Sequence, residues 1–196
     1  MTDYFALLNF PRTPWLDPAE VQKRFLEMSA AAHPDRVHNL GADETTVANA
    51  RFAELNKAAA VLKDPKERLH HLLALEAGAA PATAQNIPNE SIEFFGKIGQ
   101  TCRSVDQFIA EKNRTTSPML QAQMFAKGLD WSDAIADLQG RVAEVRAKAD
   151  AELQQIGKNW PREKPLDRIA GLAHLFAMIG RWEAQLQERF AALASN

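Results

Sequence analysis

The sequence predicts an all-α protein in two parts. An antiparallel helix pair with short flanking helices comes first, followed by a helical bundle of about three long helices. Apolar residues recur at steps of three and four through segment after segment, which is the spacing of one helical face. Two Asp-Pro-x-Glu sequences, Asp17-Pro18-Ala19-Glu20 and Asp64-Pro65-Lys66-Glu67, have the form of helix starts: a capping aspartate, proline in the first turn and a glutamate able to reach back. No segment alternates apolar and polar residues as a half-buried strand would.

Composition narrows the function classes. The chain has 196 residues, 46% hydrophobic and 24% charged, with a formal net charge of −2, enough length for one or two domains with a real core. That balance implies neither nucleic acid nor an anionic membrane as a partner. The N-terminus carries Asp3 and no basic region, so it does not read as a signal peptide. No apolar run approaches the roughly 18–20 residues of a membrane helix, and the cytoplasm is the expected location. The single cysteine, Cys102, excludes an internal disulfide and a cysteine-based zinc cage.

Taken in order, Asp3-Tyr4-Phe5-Ala6-Leu7-Leu8 forms a short apolar helix ended by Asn9-Phe10-Pro11. The helix starting at Asp17-Pro18 places Val21, Phe25, Met28 and Ala32 on one stripe. Pro34 disfavours helical geometry at His33, so this helix stops at His33-Pro34-Asp35. A polar loop containing Gly41 follows. Helical spacing resumes near Glu44 with Ala48, Phe52, Leu55, Ala59 and Leu62, whose face pairs with the preceding stripe. The second Asp-Pro start then leads into Leu69, Leu72 and Leu73. Residues 77–89, poor in large apolar side chains and carrying two prolines, read as a linker between a domain at 1–76 and a bundle at 90–196.

In the bundle, Ile98, Cys102, Val105 and Ile109 form one stripe, ended by the polar stretch 112–116. Ser117-Pro118 opens a short helix with Met119, Leu120, Met124 and Phe125. The seam Ile135, Leu138, Val142, Val145, Ala149, Leu153, Ile156 and Trp160 is the pattern of bundle packing. A final helix from about Leu166 carries Ile169, Leu172, Phe176, Ile179, Leu186, Phe190 and Leu193.

The corner His33-Pro34-Asp35 is the leading site candidate, because loop residues held on a rigid helical scaffold carry function more often than core residues do. Its setting resembles the J domain of DnaJ-type co-chaperones. The resemblance rests on Asp3-Tyr4-Phe5 with Leu8, the capped helix, His33-Pro34-Asp35, Phe52-Ala53-Glu54-Leu55-Asn56-Lys57-Ala58, and Leu62-Lys63-Asp64-Pro65 with Arg68. It implies docking on a heat-shock-70-class chaperone and stimulation of that partner's ATPase. Asp35 would engage a basic residue of the chaperone, while His33 and Pro34 hold the corner. Arg36, Lys23 and Arg24 join them as candidate chaperone-binding residues.

The continuation Leu62-Lys63-Asp64-Pro65-Lys66-Glu67-Arg68-Leu69-His70-His71-Leu72-Leu73 looks like the end of the J domain in HscB-type iron–sulfur cluster assembly co-chaperones. The layout of J domain, short linker and three-helix bundle is similar to theirs. Two departures stand out. The family's first bundle helix carries a hydrophobic–acidic patch that binds the cluster scaffold protein. The stretch 92–103 here has one acid, two glycines and the basic Lys97 and Arg103, so the client-binding residues stay unassigned. In the helix before His-Pro-Asp, Glu20 and Glu27 balance Lys23 and Arg24, which weakens electrostatic steering.

Other chemistry finds little support. His70 and His71 point about 100° apart on a helix and do not readily chelate one ion, and no His-x-x-x-His pair occurs. Cys102, on an apolar stripe, reads as a core thiol rather than a cluster ligand. Phe94, Phe95, Trp131, Trp160 and Trp182 read as core, with a client groove as the alternative. No phosphate loop, nucleophile elbow or acid–base carboxylate constellation is present. No cofactor, metal or catalytic residue is implied. The expected function is a chaperone regulator delivering a client, with the iron–sulfur scaffold as first candidate. The alternative is a J-domain module recruiting the chaperone to a different client.

Overall fold

The computed structural model describes residues 1–30, 42–77 and 89–194. The described residues form seven helices and no strand: α1 (Tyr4–Leu7), α2 (Pro18–Ser29), α3 (Ala42–Lys63), α4 (Pro65–Ala77), α5 (Asn89–Arg114), α6 (Pro118–Asn159) and α7 (Leu166–Ala194). Among them no helix is long and apolar enough to cross a membrane. The chain divides into two compact units. One comprises Met1–Ala84 with Asp150–His174, the other Gln85–Ala149 with Leu175–Asn196. The expected linker at 77–89 lies, apart from its two end residues, outside the described residues.

In the first unit, capping fixes the helix starts. Asp3 accepts from the N–H groups of Phe5 and Ala6, and Asp17 accepts from Ala19 N–H at 2.9 Å. Asp64 accepts from Glu67 N–H at 3.1 Å. Each such cap contributes about 0.5–2 kcal/mol. The reciprocal half of the box expected at Glu20 is not made; its carboxylate turns instead to Arg24, 3.6 Å away and one helical turn on. Helix α1 ends at Leu7, and beyond its C-cap Leu8 the chain turns at Asn9, whose φ of 56° lies in the left-handed region that asparagine tolerates.

Helix α3 is the spine of this unit, with α1, α2 and α4 packed on it. Phe5, Leu8, Leu16, Val21, Leu55, Leu62, Leu69 and Leu72 are buried there. Each large side chain removed from water in this way contributes about 1.5–3 kcal/mol. The end of α6 and the start of α7 belong to the same unit, adding buried Leu153, Trp160, Ile169 and Leu172. Gly157 packs close to the segment before α2: a Cβ there would sit 3.4 Å from both Thr13 Oγ1 and Trp15 Cβ. Glu76 gathers Arg12 at 3.5 Å and Lys164, and Arg12 also pairs with Asp3 at 2.9 Å. The Lys164 hydrogen bond holds the Glu76 carboxyl below its ordinary pKa, outweighing the opposing effect of burial.

In the second unit α5, α6 and α7 bury Ile98, Cys102, Val105, Ile135, Leu138, Val142, Phe176, Ile179, Trp182 and Leu186. Three details differ from the sequence pattern. The buried side chain after Val105 is Phe108, whose ring packs beside Gly128, with Ile109 only partly covered. The short helix expected from Pro118 is the first third of a single 42-residue helix. No proline interrupts it, and Ser132 Oγ donates back to Gly128 C=O at 2.9 Å rather than capping a new start. Of its early apolar residues only Met124 is buried, while Met119 and Phe125 are 74% and 67% exposed. Phe190 also faces solvent, since the buried step from Leu186 falls on Leu193. Ion pairs fasten the outside: Arg146 forks onto both carboxylate oxygens of Glu183 at 2.8 and 2.7 Å, and Arg189 meets Asp106 at 2.7 Å.

Candidate functional site

Helices α2 and α3 form the hairpin whose corner carries His33, Pro34, Asp35 and Arg36. Those four residues lie outside the described residues. Gln22, at the start of α2, accepts from Lys63 Nζ, at the end of α3, at 2.8 Å, so the two helices run antiparallel. Halfway along, the Phe25 and Phe52 rings meet at 6.4 Å between centroids. Helix α2 stops at Ser29, whose Oγ turns back to Leu26 C=O, and α3 resumes at Ala42. Both candidates on α2 are described, and they differ. Lys23 is exposed and has no ion-pair partner among the described residues. Arg24 is partly buried: its guanidinium lies 5.4 Å over the Phe10 ring and reaches Glu20 at 3.6 Å and Glu27 at 4.0 Å. A guanidinium shared in this way offers a partner less charge than the free ammonium beside it.

The end of the hairpin remote from the corner is held by two side chains that the sequence pattern alone did not single out for these roles. Arg68 is 2% exposed and donates from Nε to Pro14 C=O at 3.0 Å and from a terminal nitrogen to Leu62 C=O at 2.6 Å. Burial pushes its pKa down to about 10, opposed by the charges of Asp150 and Asp64, and it stays protonated at neutral pH. The buried His71 ring stacks on Tyr4 at 4.6 Å and on Phe5 at 5.8 Å. Its Nε2 accepts the Tyr4 main-chain N–H at 3.0 Å. An amide N–H can only donate, so Nε2 carries the lone pair and the ring is neutral. Burial, aided by the Arg12 charge and opposed by Asp3, lowers its pKa.

The remaining candidates fall into place locally. His70 is exposed, away from the core that holds its neighbour His71. Cys102 is buried, and burial pushes its thiol up from the ordinary range. Phe95 stacks on Trp182 at 3.9 Å inside the second unit, and Trp160 is buried in the first. Among the described residues no cluster of histidine, cysteine, aspartate and glutamate can hold a metal ion.

An antiparallel helix pair with a His-Pro-Asp corner, braced by a short N-terminal helix and a buried arginine, defines the class. The DnaJ domain family model matches residues 3–71, and the chain is a J-domain protein. Similarity extends well past that domain. The chain is 26% identical to the co-chaperone protein HscB homolog of Mannheimia succiniciproducens over 96% of its own length and 99% of that protein's. To the HscB homolog of Shewanella halifaxensis it is 32% identical, over 79% of this chain and 96% of the relative. The chain therefore belongs to the HscB family of co-chaperones. The HscB chaperone of Vibrio cholerae shares the fold with a TM-score of 0.68 at 19% identity, covering 95% of this chain and 96% of that one.

Proposed function

We propose that the protein docks on a heat-shock-70-class chaperone through His33, Pro34 and Asp35, with Arg36, Lys23 and Arg24 at the edge of the contact. Docking stimulates ATP hydrolysis by the partner and traps a client on it. The J domain occupies 1–76, the linker 77–89 and the client-holding bundle 90–196, and the protein works in the cytoplasm as a regulator without catalysis of its own. The client is the iron–sulfur cluster scaffold protein. The observation that supports this reading best is near full-length similarity to HscB co-chaperones in a chain that keeps His-Pro-Asp between the paired helices. Tethering the client to a J domain raises its effective concentration at the chaperone.

The test is ATP turnover by the organism's heat-shock-70 chaperones with this protein added, with and without the scaffold. Stimulation that needs both proteins is the expected result. A second reading, recruitment of the same chaperone to another client, is favoured by the stretch 92–103, which holds a single acid beside Lys97 and Arg103. It would appear as stimulation indifferent to the scaffold. No stimulation of any such chaperone would overturn both.

A further inference from the structure

The end of α6 and the turn that follows it, Trp160 to Pro165, lie against the segment before α2 and the last turn of α4. The turn's own main chain is firmly folded. Arg162 and Glu163 N–H both donate to Asn159 C=O, at 2.9 and 3.0 Å, and prolines stand at 161 and 165. Two features of its position are locally unfavourable. Glu76 sits in the last turn of α4, where the helix dipole disfavours a carboxylate and no basic residue lies beside it in that turn. Trp160 is 2% exposed, yet its indole N–H has no acceptor among the described residues. What offsets them comes from outside α4. The Glu76 side chain, only 11% exposed, receives the Lys164 ammonium from the turn and the Arg12 guanidinium at 3.5 Å. Arg12 is itself held by Asp3, the cap of α1. The Lys164 ammonium also lies 5.9 Å over the Trp160 ring, so Lys164 touches both features.

We infer that this turn is a salt-sensitive strap with two positions. In the closed one Lys164 latches onto Glu76. In the open one, a minor population, the turn lifts off α4, the last turn of α4 frays and the Trp160 indole N–H meets water. Opening relieves both unfavourable features together, which keeps the two positions close in free energy. The latch itself is 45% exposed on the lysine side, so dissolved ions weaken it. Helices α6 and α7 cross from the first unit into the second, and the strap controls how firmly the J domain holds the helices that lead there.

The test follows deuterium exchange of indole and main-chain N–H groups in the full chain by NMR, with Trp160→Phe assigning the indole signal. Lys164→Gln should raise exchange at the Trp160 indole and at the Glu76 main-chain N–H about two- to fivefold. In the parent, salt at about 1 M, where the screening length is about 3 Å, should do the same, and in Lys164→Gln it should add little. Trp182, buried in the second unit, should keep its rate and so separates strap opening from a general loss of stability. Arg162→Gln makes the same change of net charge in the same turn, on a side chain that is exposed and unpaired among the described residues, and should leave the Trp160 rate unchanged. An unchanged Trp160 rate in Lys164→Gln, an equal rise in Arg162→Gln, an equal rise at Trp182, or a rise at Trp160 without one at Glu76 would each overturn the strap.

Discussion

The main-chain N–H of Tyr4 donates to Nε2 of His71 across 67 residues of sequence, at 3.0 Å, with the two rings stacked. This bond pins the first helix to α4 and fixes the protonation state of a buried imidazole. Protonating Nε2 would remove the acceptor and place a charge against two aromatic rings.

Stability should therefore depend on pH through His71. Its folded pKa is lowered from the ordinary 6.5. Above pH 6.5 both folded and unfolded states hold it neutral, and its full contribution is present. As pH falls below 6.5 the unfolded chain takes up the proton more readily, so stability drops until the lowered folded pKa is passed. His71→Phe keeps the stacking and removes both the acceptor and the titration. It should cost about 1 kcal/mol at pH 7.5, and the gap to the parent should narrow as urea melts are taken to pH 5. A gap that stays constant over that range would show that His71 does not report on this bond.

Arg68 makes the larger contribution. Truncation to alanine would leave the buried carbonyls of Pro14 and Leu62 without their donors and open a cavity among fully buried leucines. The expected loss is about 3–5 kcal/mol. Arg68→Lys should recover only part of it, because an ammonium cannot reproduce the planar fork. Urea midpoints of the two variants decide this, and an alanine variant within about 1 kcal/mol of the parent would mean the carbonyls find water instead.

How far the sequence revealed these features follows from their range. Helix starts were legible because Asp3, Asp17 and Asp64 cap within three residues of themselves. The seam on α6 and α7 was legible because one periodicity governs it. Long-range packing was not: the Phe108 ring lies beside Gly128 on another helix, and no periodicity within α5 carries that fact. The same holds for Arg24, which reads as an exposed helix charge until Phe10, fourteen residues earlier, is found beneath it. Continuity of α6 was hidden because Met119, Leu120 and Phe125 face solvent and do not extend the buried seam that begins at Ile135.

Asp35 should separate folding from function. Asp35→Asn keeps the size and polarity of the side chain and removes its charge. Losing one member of a desolvated interfacial charge pair costs about 2–5 kcal/mol, enough to bring ATPase stimulation near the basal rate. The circular dichroism spectrum and urea midpoint should be unchanged. Stimulation equal to the parent's would refute the docking role of the corner.

Lys23 and Arg24, neighbours with the same formal charge, should behave differently. Lys23 is exposed and unpaired among the described residues, so in the proposed docking a chaperone carboxylate would meet it without competition. Its loss in Lys23→Ala should raise the concentration needed for half-maximal ATPase stimulation about two- to fivefold at low salt, and less at high salt, as for an exposed charge pair. Arg24 is already shared among Glu20, Glu27 and the Phe10 ring. Arg24→Ala should therefore change docking less than Lys23→Ala does, while lowering the stability of the first unit by about 0.5–1 kcal/mol through the lost ring contact. Titrating each variant into the chaperone at two salt concentrations, beside urea melts, separates the two roles. A greater loss of affinity in Arg24→Ala with unchanged stability would show that Arg24 leaves its own carboxylates to reach the partner.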